Sequence, residues 1–85
     1  MTAAEALQHN LKKRRKQLRL SQAQVAERAT DRSVRKISGP AVSRYESGKL
    51  VPTIDTIEAL AAALACSASD LCSPEWEPPP LPEGF

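Results

Sequence analysis

Residues 20–29 read LSQAQVAERA and residues 38–64 read SGPAVSRYESGKLVPTIDTIEALAAAL. Each block carries a hydroxyl residue at or next to its start, Ser21 or Ser38, followed by apolar residues at helical spacing, the mark of a capped amphipathic helix. Ser21 is a natural N-cap for a helix over about 22–29 that buries Val25, Ala26 and Ala29. Ser38 caps a second over about 39–46. Pro40 sits in its first turn, where a missing N–H is harmless, and leaves the Ser38 hydroxyl to bond the Ala41 amide. Gly48 supplies a left-handed stop. Thr53, after Pro52, caps a third helix, with Asp55 near its positive end and Ile54, Ile57, Leu60, Ala61 and Leu64 as its inner stripe.

Outward from this stretch the pattern stays helical. Leu7, Leu11 and Leu18 recur at helical intervals through good helix formers, which predicts a first helix over about 4–18 with Leu20 packing beneath its end. A short helix over about 67–72 would bring Leu71 to the core. Tyr45, Trp76 and Phe85 are the only aromatic residues, so the core must come from Leu, Ile, Val and Ala. These features predict an all-α bundle of four to five helices over residues 1–72. Residues 73–85 form a Pro-rich acidic tail, in which Pro74 and the prolines from Pro78 onward forbid regular helix or central strand. Trp76 and Phe85 either dock on the bundle, meet a partner protein or belong to a disordered tail. Pro79-x-x-Pro82 matches a polyproline ligand only weakly.

All 12 Lys and Arg lie between Lys12 and Lys49, against three acids there, Glu27, Asp31 and Glu46, which leaves that stretch at +9. From Leu50 onward there is no basic residue and there are six acids. The formal net of +2 therefore hides a dipolar chain. A concentrated positive surface attracts polyanions and releases their counterions, as a nucleic-acid face does. The plainer alternative is a solvated basic helix at Lys12 to Arg19.

At 85 residues the chain is one small domain with little room for a catalytic pocket, and His9 has no visible nucleophile or acid partner. No enzymatic activity is expected. No apolar run approaches the ~20 residues of a membrane span, and the start lacks a signal-peptide segment, so the expected location is cytoplasmic. Cys66 and Cys72 would stay as thiols there, Cys66 as a small core hydrophobe. A metal site would need His9 and Asp70 to join both thiols, at a spacing that matches no usual zinc pattern, so no metal or cofactor is expected.

The ordered string from Ser21-Gln22 through Ala26, Val42, Glu46, Gly48-Lys49 and Pro52 resembles the helix-turn-helix core of Cro/C1-type regulators, the XRE family, with the likeness running over about residues 7–71. The resemblance implies a lambda-repressor-like bundle whose second motif helix enters the DNA major groove. It implies that Gln22 bonds a backbone phosphate and steadies the recognition helix. Ser38, Ala41, Ser43 and Arg44 then lie near DNA, with Arg44 able to bond guanine bidentately and Ala41 able to touch a thymine methyl. Ser47 and Lys49 would hold phosphates, while Val42 and Tyr45 face the core. Arg15 and Glu46 occupy the positions of a partly buried structural pair that fixes the recognition helix to the first helix.

The chain departs from the family pattern in four places. Gly39-Pro40 replace polar residues at the start of the recognition helix, so base readout should be sparse and phosphate contacts and DNA shape more important. Thr30 to Lys36 stand where a single glycine is typical, and carry Arg32, Arg35 and Lys36; this is either a basic finger on DNA or a loop with incidental charge. Ala65 replaces a helix-ending glycine, and Leu50-Val51 replace polar or basic residues. The function implied is a sequence-specific DNA-binding regulator, a repressor occupying a palindromic operator as a homodimer on double-stranded DNA. The alternative is an interaction adaptor or antitoxin on the same fold, whose tail binds a partner protein.

Overall fold

The structure, a computed structural model, describes residues 1–33 and 35–80. Among the described residues five helices follow one another: α1 (Ala3–Gln17), α2 (Gln22–Thr30), α3 (Gly39–Ser47), α4 (Ile54–Ala63) and α5 (Ala68–Leu71). Each begins on a hydroxyl cap, Thr2, Ser21, Ser38, Thr53 and Ser67, whose side chain accepts the backbone N–H three residues on. At Thr2, Ser21 and Ser67 the third residue reciprocates, with the Glu5, Gln24 and Asp70 side chains accepting the cap's own N–H. Gly48 ends α3 at φ 79. Ala65, after α4, takes the same left-handed backbone at φ 56 although it carries a Cβ, which costs about 1 kcal/mol.

The second helix is the hub of the packing, touching both α3 and α4, while α1 lies on α3 and α5. Leu7, Leu11, Val25, Val42, Leu60, Leu64 and Leu71 form the core, with Leu18, Leu20, Tyr45, Ile57 and Cys66 packed around it. Ile54 is a correction: expected on the inner stripe of α4, it is 74% exposed, and Ala59 and Ala63 are buried instead. Helical side chains lean toward the N-terminus, so a residue at the first position projects past the end of its helix rather than onto the layer beneath.

Two polar residues complete the core. Asn10 is buried, and its amide nitrogen donates toward the carbonyls of Asp70 at 3.3 Å, Leu71 at 3.0 Å and Ser73 at 2.8 Å. Arg14, also buried, donates from Nε to the Leu64 carbonyl at 2.9 Å and from Nη1 to Gln17 at 2.7 Å. Carbonyls at helix ends lack intrahelical donors, and these side chains from α1 supply them. The segment after α5 stays close: Trp76 packs on the core and Gln17 Nε2 donates to the Pro79 carbonyl at 2.8 Å. Phe85 and the second proline of the Pro79-x-x-Pro82 pattern lie outside the described residues.

Candidate nucleic-acid interface

The recognition segment is held from behind by charge. Arg15 on α1 donates from Nε to Glu46 Oε2 at 2.6 Å and from Nη2 to Oε1 at 3.0 Å, while its Nη1 donates to the Leu20 carbonyl at 3.0 Å. The side chains are 12% and 5% exposed, so this is a shielded, bidentate pair. Gln22, at the start of α2, donates from Nε2 to Glu46 Oε1 at 3.3 Å. One carboxylate thus ties three helices together near the end of α3. The Gln22 carbonyl oxygen keeps its acceptor capacity, while its amide is directed to Glu46.

A shallow groove beside this clamp is lined by Lys12, Arg15, Lys16, Ser21, Gln22, Ser43, Glu46 and Ser47. It runs between the cationic face of α1, the start of α2 and the outer side of α3. Lys12 and Lys16, one turn apart, are exposed; Ser43, Arg44, Ser47 and Lys49 are exposed on or just after α3. At the other end of α3, Ser38 is exposed and Ala41 half-buried, and the Ser38 hydroxyl is occupied by the Ala41 N–H at 3.2 Å. Gly39 lies against α2, where an added Cβ would stand 3.4 Å from Ala23 Cα. The departure at Gly39 therefore coincides with a close crossing of the two motif helices.

The insertion points elsewhere. Its base is clasped by Thr30, whose hydroxyl accepts the Ile37 N–H at 2.9 Å and lies 2.8 Å from the Ala26 carbonyl, which it can donate to. Ile37 is buried in the core, a role the sequence reading did not assign. Arg32 lies in a groove with Asp55 and Glu58, and Arg35 and Lys36 wall another with Tyr45, Leu50, Val51 and Asp55. All three cations are exposed, on the α4 side and apart from the groove that gathers Lys12, Lys16 and Gln22.

Lys12 and Lys16 lie outside the helix-turn-helix motif, but their spacing in the sequence marks them: with Arg15 they share the face of α1 that meets α3. The +9 stretch is also less freely charged than its count implies, because Arg14 is buried and Arg15 is paired.

A helix-turn-helix family model matches residues 11–71. The chain belongs to the helix-turn-helix family. The fold of this helix-turn-helix protein is similar to that of the P22 c2 repressor, crystallised in complex with synthetic operator 9T in the presence of Tl+. The TM-score is 0.70 at 26% identity, over 81% of this chain and 96% of that one. Comparison with curated proteins gave no match. Both sequence string and fold identify a Cro/C1-type DNA-binding regulator in an all-α bundle. Among the described residues no helix is long and apolar enough to cross a membrane.

Proposed function

We propose that the protein represses transcription by occupying operator DNA as a homodimer, each protomer laying α3 in the major groove of one half-site. The observation that carries this reading is the groove in which Lys12, Lys16, Gln22, Ser43 and Ser47 come together beside an α3 held by the Arg15–Glu46 clamp. Lys12, Lys16 and Lys49 neutralise phosphates, the Ser47 hydroxyl donates to one, and together they set the register; Gln22 donates to a phosphate through the amide hydrogen that Glu46 does not take. Arg44 reads a base, since it is exposed on a rigid helix and a guanidinium matches the two acceptors of guanine. Ser38, Ala41 and Ser43 make the nearby contacts. Gly39 and Pro40 add none, so DNA shape carries part of the specificity.

The insertion contributes positive field through Arg32, Arg35 and Lys36, with little base preference. The reading assigns a cytoplasmic binding protein without catalysis. The adaptor alternative has less support, because Trp76, one of the two tail aromatics it would use, is packed against the bundle. Binding of a random-sequence 30-base-pair duplex, followed by fluorescence anisotropy across salt concentrations, tests the reading. Log affinity should fall with log salt at about −0.9 per phosphate neutralised; a flat dependence at measurable affinity would overturn it.

A further inference from the structure

The segment after α5 is laid along α1 by contacts that follow the helix in order. Asn10 Nδ2 donates to the Ser73 carbonyl at 2.8 Å, Lys13 Nζ stands 3.7 Å from Glu77 Oε2, and Gln17 Nε2 donates to the Pro79 carbonyl at 2.8 Å. Residues three and four apart share one side of a helix, so Asn10, Lys13 and Gln17 form a single docking edge. Between the outer contacts Trp76 packs on the core. Gln17 is itself held, because its Oε1 accepts from the buried Arg14 at 2.7 Å. Residues 73–80 are therefore a strap, fastened at both ends by neutral hydrogen bonds and between them by an indole. Salt screens charges, so these fastenings depend little on it.

The charge on the strap is wholly acidic: Glu75 and Glu77 are exposed, and no basic residue follows Lys49. Lys13 stands at the border between the docking edge and the cationic face of α1, since it lines a shallow depression with Lys12 and Lys16, the lysines assigned to phosphates above. As an isolated surface pair Lys13–Glu77 would contribute little, with side chains 45% and 87% exposed. Fastened on both sides, however, Glu77 does not have to be brought to Lys13 from solution, because the strap keeps it at high local concentration. A phosphate approaching Lys13 must displace that carboxylate or remain beside it. Either outcome forfeits the counterion release that a free lysine gives.

We infer that residues 73–80 are an autoinhibitory strap, in which Glu77 withholds Lys13 from DNA and keeps affinity below what the uncovered basic face would give; the inference rests on the DNA-binding reading above. The strap touches α1 and the core, and none of its contacts reaches α3. Its release therefore adds a phosphate contact while the pose of the recognition helix stays as it is. Affinity rises for all sequences alike, and base preference is unchanged, because phosphate contacts carry no sequence information.

Fluorescence anisotropy of the full chain with the random-sequence duplex, at several salt concentrations, tests this in a double-mutant cycle of Glu77→Gln and Lys13→Ala. One added phosphate contact steepens the salt slope by about 0.9, which corresponds to about eightfold tighter binding at roughly 0.1 M salt and to no gain at about 1 M. Glu77→Gln alone should show that gain. Lys13→Ala alone should stay within about twofold of wild type, because its charge is already neutralised by Glu77. The double variant should bind like Lys13→Ala. Glu77→Gln should keep the helical circular dichroism and the Trp76 emission of the wild type, since the fastenings on either side of Glu77 remain. Unchanged affinity in Glu77→Gln, a gain that persists without Lys13, or a loss in Lys13→Ala as large as in Lys12→Ala would overturn the strap. If the wild type binds the duplex with the expected slope and Glu77→Gln is no tighter, the strap fails and the DNA reading stands; if neither binds, both fail.

Discussion

Arg15 holds Glu46 by two charge-assisted hydrogen bonds, 2.6 and 3.0 Å long, and so couples the packing of α1 to the pose of α3. Removing the carboxylate leaves a shielded guanidinium with only the Leu20 carbonyl, and frees the Gln22 amide. Glu46→Ala should lower stability by about 3 kcal/mol in urea unfolding and weaken DNA binding in the same protein. Wild-type stability would mean that the pair contributes nothing net.

Positioning and reading should separate by residue. In the proposed complex Lys12 and Lys16 meet DNA through mobile ammonium groups, so Lys12→Ala/Lys16→Ala should weaken specific and scrambled duplexes alike and shallow the salt slope by about 2. Arg44→Ala should instead remove discrimination worth roughly 1–3 kcal/mol at one base pair per half-site. Titrating each variant against both duplexes at several salt concentrations distinguishes these outcomes. Specificity retained without Arg44 would move the reading to another element.

Asn10 is the tie between α1 and the chain after α5. Asn10→Ala leaves the buried Leu71 carbonyl without its side-chain donor, which should cost about 1–3 kcal/mol and loosen the segment that carries Trp76. Because Trp76 is the only tryptophan, its emission should shift to the red in the folded variant. An unshifted spectrum would show that Trp76 is held independently.

Burial raises the Cys66 thiol from the usual 9.0 to about 11, against the pull of Arg14 and with help from Asp70. The native state thus holds this proton more tightly than the unfolded chain. The stabilisation is fully present below pH 9 and is lost as pH rises through about 11. Alkylation of folded protein at pH 9 should be slower at Cys66 than in the unfolded chain, and Cys66→Ala should flatten the stability loss between pH 9 and 11.

Much of this architecture was legible because it is local. Ser21, Ser38 and Thr53 announce their helices within four residues, and Gly48 its stop, since capping needs only a hydroxyl and nearby amides. The roles of Asn10 and Arg14 were hidden because the backbone carbonyls they bond lie 50 or more residues away, and a polar residue on a basic helix reads as solvated until the fold covers it. Ile54 misled for the opposite reason: periodicity places a residue on a face and says nothing of where the packed layer ends. Ile37 sits in an irregular segment, outside any periodic pattern. On the candidate surface, the exposed places of Arg44 and Lys49 on and just after α3 follow from motif register, but the gathering of Lys12 and Lys16 with Gln22 depends on the crossing of α1 and α3.

The central claim is sequence-specific recognition of DNA, and selection of bound sequences from a random duplex pool tests it most directly. The account predicts a short palindromic consensus, with half-sites about one helical turn apart and one position per half-site that loses its preference in Arg44→Ala. Enrichment of no sequence from a pool that the protein nevertheless binds would contradict it.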